Sequence, residues 1–227
     1  MSRVKAVSVA GKSAGSTPRK QYHHGDLRDS LLKHGLQLLQ EVGGEEISLR
    51  QLAERVGVSA PALYHHFQNK QELLYALGIQ CVDRFEQALF EGIENSVNYP
   101  PALHDDPSSP RSSLEYIVLS YVRFAVENPE LYELLFGRRM WKTGENSEFH
   151  RYARKSFRRL SAWLILTQQD RALHPDINPL RFAQVGWAAL HGLCRMHNDG
   201  LAFRTETIED IARYGCQLVE RILFDEK

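Results

Sequence analysis

The chain has 227 residues, 43% hydrophobic and 25% charged, an ordinary globular composition with enough length for one or two domains around a real core. Its longest run without Asp, Glu, Lys or Arg, Val56–Asn69, is too short for a membrane span and contains Pro61, and no apolar secretory core is seen near the start; three distant cysteines (Cys81, Cys194, Cys216) exclude a disulfide framework or a Cys-rich zinc site and suit a reducing cytoplasm. The net charge of zero hides a split: residues 1–75 carry 10 Lys/Arg against 7 Asp/Glu, residues 76–227 carry 18 against 21, and residues 1–24 hold Arg3, Lys5, Lys12, Arg19 and Lys20 with no acid, which hints at an anionic partner.

Residues 1–21 are rich in Ser, Gly, Ala and basic residues without a period, and a disordered arm is expected there. From Asp26 the pattern is helical: Leu27, Leu31, Gly35, Leu38 and Val42 share a face, Asp26 can cap the start and Gly43-Gly44 can end it. A short helix is expected from Ser48 to about Val56, then a tight Gly57-Val58-Ser59 turn, then a helix from about Ala60 to Phe67 with Pro61 in its first turn. Asn69-Lys70-Gln71-Glu72 has capping-box spacing and opens a long helix carrying Leu73, Leu77, Cys81, Phe85 and Leu89. Twenty-odd residues at about 1.5 Å each reach roughly 35 Å, enough to join two domains.

Pro100, Pro101, Pro107 and Pro110 mark a loop from Ser96 to Arg111, mobile at His104–Ser109. Ser112 or Ser113 can cap the next helix, which ends before Asn128-Pro129. Helices follow at Pro129–Phe136, about Asn146–Gln169, Leu180–His197 behind an Asn178-Pro179 start signal, and from Thr207 on, the last with Ile211, Gly215, Leu218, Val219 and Ile222 inward. No segment alternates with period two, so the expected fold is all-α.

The informative stretch is Ser48–Leu74, SLRQLAERVGVSAPALYHHFQNKQELL. Two short helices around Gly-Val-Ser make a helix-turn-helix: Ala53 is small where the helices cross, Gly57 permits a positive φ, Val58 fills the space between the helices, and Ser59 caps the second helix. Such a helix enters the major groove, while Tyr64, His66 and Lys70 offer polar tips to phosphates. The pattern Ser48-x-Arg50-x-Leu52-Ala53-x-x-x-Gly57-Val58-Ser59-x-x-x-Leu63-Tyr64-x-His66-Phe67-x-x-Lys70-x-x-Leu73, within Tyr22–Leu77, resembles the DNA-binding domain of the TetR family of transcriptional regulators. The resemblance implies that Arg50 can reach a guanine. It implies too that Ala60, Pro61, Ala62 and His65 face bases and that Ser48, Ser59, Tyr64, His66 and Lys70 hold phosphates. With alanine at 60 and 62, sequence preference would rest on Arg50, His65, thymine-methyl contacts and DNA shape.

Further along, Asn128–Phe136 and Trp187-Ala-Ala-Leu-His191-Gly192 resemble a subgroup with a Trp-x-x-x-His-Gly signature. That resemblance implies a homodimer through the last two helices (179–197 and 207–224) and an effector pocket in each subunit. Trp187 and His191 lie one turn apart on one face, open either to a ligand pocket or to plain packing with His191 on a backbone carbonyl. Aromatics cluster from Tyr116 to Trp163. Tyr121, Phe124, Phe136 and Trp141, with Trp187 and His191, are the candidate contacts of an apolar or aromatic effector, and they fit a helical core equally well. Arg151, Arg154, Lys155, Arg158 and Arg159 make a basic stripe, read first as a solvated face and second as an anion site. No metal-ligand spacing, nucleophile elbow or Gly-rich phosphate loop occurs, so no metal, cofactor or enzymatic activity is expected.

The organisation expected is a basic arm (1–21), a helix-turn-helix DNA-binding domain (22–76) and an effector-binding and dimerisation domain (77–227). The expected function is a cytoplasmic, ligand-responsive transcriptional regulator, a repressor released from a palindromic operator by a small molecule. An activator of the same family, or an all-α small-molecule-binding protein or enzyme, is the alternative.

Overall fold

The computed structural model describes residues 24–94, 110–142, 147–169, 176–201 and 206–224; the arm at 1–21, Tyr22-His23 and the proline-rich loop to Ser109 lie outside the described residues. Within them the chain is all helix: α1 (His24–Glu46), α2 (Leu49–Val56), α3 (Ala60–Tyr64), α4 (Lys70–Glu94), α5 (Pro110–Glu127), α6 (Pro129–Phe136), α7 (Arg138–Lys142), α8 (Glu148–Gln169), α9 (Pro179–Asn198) and α10 (Ile208–Phe224).

Several boundaries differ from the sequence expectation for local reasons. Gly43 leaves the helix with φ 75°, but the chain adds one more turn, closed by the Ile47 amide on the Gly43 carbonyl at 3.1 Å. Helix α3 stops at Tyr64 rather than Phe67: the amides of His66 and Phe67 both meet the Leu63 carbonyl, a tightening turn that seats Phe67 in the core. The box at α4 is offset. Asn69 Oδ1 accepts from the Glu72 amide at 2.9 Å, while the Glu72 carboxylate accepts from Gln68 rather than Asn69. Helix α5 begins at Pro110, ahead of Ser112 and Ser113, because a proline costs nothing in the first turn.

Asn128 does not cap α6. Its Oδ1 accepts from Gln40 at 3.2 Å and its Nδ2 donates to the Phe124 carbonyl at 3.2 Å, joining α1 to the α5–α6 corner. Helix α7 has no sequence signal, being five residues without a period. Helices α9 and α10 begin as expected: Asn178 Oδ1 accepts from the Arg181 amide at 3.0 Å and Thr207 Oγ1 from the Asp210 amide at 3.1 Å. The inward face of α10 is rotated from expectation. Ile208, Ala212 and Cys216 are buried, whereas Ile211, Gly215 and Val219 are half-buried and Leu218 is 43% exposed. The apolar stripe is broad enough that periodicity alone does not say which edge packs within the subunit.

One core runs the length of the molecule. Leu31, Leu39, Ile47, Leu52, Leu63, Phe67 and Leu73 hold α1–α4 together, and Leu77, Cys81, Val82 and Leu89 carry the core along α4 to Tyr121, Val122, Leu131 and Phe149. Each fully buried leucine contributes about 1.5–3 kcal/mol. Helix α4 packs against α1, α5, α6 and α8 and is therefore the axis of the fold. Gly78 lets α4 lie close against α8, since a Cβ there would stand 2.7 Å from Phe149.

Candidate functional site

The turn between α2 and α3 is built from its caps. Ser48 Oγ accepts from the Gln51 amide (3.2 Å) and Gln51 Oε1 accepts from the Ser48 amide (2.9 Å), a reciprocal box that starts α2. Gly57 ends α2 in the left-handed region (φ 77°, ψ 32°), with its amide on Ala53 and Glu54. The Val58 amide follows onto the Ala53 carbonyl at 3.0 Å, and its half-buried side chain packs on the core. Ser59 Oγ accepts from the Ala62 amide, starting α3 with Pro61 in its first turn. Leu52, Ala53, Leu63 and Phe67 bury the inner faces of both helices.

What remains outward is the set of residues expected to meet DNA. Ala60, Pro61, Tyr64 and His65 are exposed, and Ser48, Ala62 and His66 are less so. The Arg50 side chain is 89% exposed and bonds its i+4 neighbour Glu54 at 2.9 Å. Lys70 is half-buried and donates to the Glu45 carbonyl at 2.5 Å; burial and then nearby Arg139 hold its pKa below the usual lysine range.

A second feature lies in the helical body, a cavity of about 460 Å³. Five of the six candidate effector contacts line it: Tyr121, Phe136, Trp141, Trp187 and His191. Phe124 does not. It is buried behind the wall, edge-on to Phe85 at 5.1 Å. Phe85, Leu89 and Phe90 of α4 and Arg154, Phe157 and Arg158 of α8 also line the cavity. Arg154 and Arg158 belong to the stripe whose second reading is an anion site, whereas Phe85, Leu89 and Phe90 are not among the expected contacts, because α4 reads as a connector. The usable signal was the Leu77–Cys81–Phe85–Leu89 stripe, which had to face something apolar.

The rings interlock. Phe85 is edge-on to Tyr121 (5.3 Å), Trp187 stacks on His191 (5.4 Å) and Phe157 meets Trp187 at 5.5 Å. His191 Nδ1 lies 2.5 Å from the Tyr132 hydroxyl and 3.4 Å from the Tyr121 hydroxyl, so tyrosines, not the expected backbone carbonyl, are its partners. Burial, then the Arg195 charge, lowers the His191 pKa, which favours the neutral ring. Burial raises both phenols well above their ordinary range, which keeps this cluster uncharged. Burial likewise pushes the Cys81 and Cys194 thiols up to about 12, which leaves them unreactive. A further apolar groove of about 370 Å³ lies among α5, α9 and α10, with Tyr121 and Trp187 also lining it. Among the described residues there is no group of three His, Cys, Asp or Glu side chains placed to hold a metal ion, and no helix is long and apolar enough to cross a membrane.

A helix-turn-helix head joined by one long helix to an all-helical body with an apolar cavity defines a helical regulatory protein. Residues 31–77 match the family described as bacterial regulatory proteins, tetR family, and residues 114–221 match the tetracyclin repressor-like C-terminal domain. The chain belongs to the TetR family. It is 52% identical over 50 residues to the class C tetracycline repressor protein of Escherichia coli, a match spanning 22% of this chain and 23% of that one. The chain thus spans about a quarter of the length of the tetracycline repressors it matches. A nucleoid occlusion factor SlmA of Marinobacter nauticus is 26% identical over 159 residues, 70% of this chain and 75% of that one. A solved protein of unknown function from Rhodococcus sp. RHA1 superposes with a TM-score of 0.75 at 25% identity, covering 91% of this chain and all of that one.

Proposed function

We propose that this TetR-family protein is a ligand-responsive transcriptional regulator, a repressor that leaves a palindromic operator when a small apolar or aromatic molecule enters the body. One observation carries this: α4 begins at Lys70 inside the helix-turn-helix head and supplies Val82, Phe85 and Leu89 to the cavity wall. A ligand that favours one setting of α4 therefore biases the head, and by linkage DNA biases the ligand. In this reading the head spans 22–76 and the body 77–227, and the body belongs with the Trp-x-x-x-His-Gly subgroup through Trp187, His191 and Gly192.

On DNA, Arg50 and His65 would read base edges and Ala60, Pro61 and Ala62 would pack on thymine methyls. Ser48, Ser59, Tyr64, His66 and Lys70 would bind phosphates. Two heads are needed for two half-sites. A homodimer through 179–197 and 207–224 is supported by Val185 (71% exposed), Leu180, Tyr214 and Leu218, which stand out on α9 and α10. Gly186, Gly192 and Gly215 also have no heavy atom within 4 Å of an added Cβ, leaving that face open to close helix approach.

The test is to recover DNA from a pool of genomic fragments with the purified protein, then screen small molecules for release. Retention that falls steeply with salt and reverses with a specific compound is expected. No retention even at low salt overturns the proposal. The same surface would serve an activator, and a reporter gene downstream of the recovered site separates the two by the sign of its response when the protein is removed.

A further inference from the structure

We infer that the cavity takes an amphipathic organic acid, its apolar body among Phe85, Phe136 and Trp187 and its carboxylate held at the solvent end by Arg154 and Arg158. This rests on the cavity being the effector site and adds the chemical class of the effector. The lining runs from buried Tyr121 and Leu135 to exposed Arg154 and Arg158, which fixes the open end. Arg154 and Arg158 are one turn apart on α8, so they overhang the same opening. Their apolar stems can cover the ligand while the guanidinium groups stay in water.

The charge pattern is selective. Among the described residues no Asp or Glu lines the cavity. Arg50, Arg55, Arg139, Arg195 and Arg213 each hold a carboxylate, whereas neither Arg154 nor Arg158 forms an ion pair among the described residues. Exposed Arg151 and Lys155 add to the positive potential on the same helix. At the buried end the polar groups are neutral Tyr121 and His191, already bonded to one another and to Tyr132. An anion there would lose its water without gaining a cation, so the acid points outward and the apolar body inward.

The experiment titrates the full chain with decanoate and with decan-1-ol, equal in chain length and different in charge, following tryptophan fluorescence because Trp141 and Trp187 line the cavity. Decanoate should bind about tenfold more tightly than the alcohol, in keeping with a charge-assisted hydrogen bond to Arg. The double variant Arg154→Gln/Arg158→Gln should bind both equally, with an unchanged melting temperature since both side chains are exposed. Equal affinities in the wild type, an acid preference that survives in the double variant, or binding of neither compound overturns the inference. A neutral compound that fills the cavity and releases DNA would overturn it too, while leaving the regulator proposal standing. Absent DNA retention would instead strike the regulator proposal, whatever decanoate does.

Discussion

Arg139 of α7 bonds the carboxylate of Glu45 at 2.7 Å, and the backbone carbonyl of that same Glu45 accepts Lys70 Nζ at 2.5 Å. Arg139 lies between Phe136 and Trp141, which both line the cavity, while Glu45 and Lys70 flank the helix-turn-helix. The pair therefore ties the cavity wall to the head by a path separate from α4. Glu45 is 83% exposed, so the pair contributes no more than about 1 kcal/mol to stability. Arg139→Ala should leave the melting temperature nearly unchanged. It should also shrink the factor by which a DNA-releasing compound lowers operator affinity. Titrations of DNA with and without that compound measure the factor, and an unchanged value would remove this path from the mechanism.

Within the head, Arg50→Ala, Tyr64→Ala and Lys70→Ala should each weaken operator binding while shifting stability by no more than about 0.5 kcal/mol for the two exposed positions, Arg50 and Tyr64. Losing Arg50 should relax preference at one base pair by about 1–3 kcal/mol, whereas losing Tyr64 or Lys70 should weaken all sequences alike and flatten the salt slope. Binding curves at matched salt decide this, and three unchanged curves would remove this surface from DNA.

Two glycines should fail for different reasons. Gly78→Ala places a Cβ 2.7 Å from Phe149 and 2.9 Å from Met140, both fully packed, and should cost about 1–3 kcal/mol in urea melts by overfilling the α4–α8 contact. Gly57→Ala meets nothing within 4 Å, but its φ of 77° is left-handed and should cost about 1–2 kcal/mol. Asparagine tolerates that region, so Gly57→Asn should melt closer to the wild type than Gly57→Ala does. The reverse order would mean that contacts, not backbone strain, set the requirement at 57.

The His191 ring is depressed in pKa when folded, chiefly by burial. The unfolded chain therefore binds the proton more readily, and stability rises with pH across the interval below the ordinary histidine pKa of about 6.5. The contribution is fully present above that value and is lost as pH falls through the folded pKa. Thermal melts should thus drop more between pH 7.5 and pH 5.5 for the wild type than for His191→Gln. Parallel pH profiles would show that the ring does not titrate in step with folding.

Much of this was legible in the residues because the forces involved are local. Ser48, Gly57, Ser59, Asn178 and Thr207 act on backbone groups within three or four positions, so caps and turns followed from spacing. Tyr121, Phe136, Trp141, Trp187 and His191 could be named as a group from aromatic density and helical period. Which neighbour each one meets was a different matter, since partners such as Tyr132 and His191 are 59 positions apart.

By itself the sequence determined the all-helical class, most helix starts and the helix-turn-helix, because each is written in periodicity and short-range hydrogen bonding. Tertiary structure alone decided that Phe124 stands behind the wall while Phe85 and Phe157 line it, that α10 turns Ile208, Ala212 and Cys216 inward, and that Arg154 and Arg158 overhang an apolar cavity. An amphipathic period fixes which residues share a face but not what that face meets. The rotation of each helix about its axis is set by packing against helices distant in the chain, and a shift of one position exchanges lining for core.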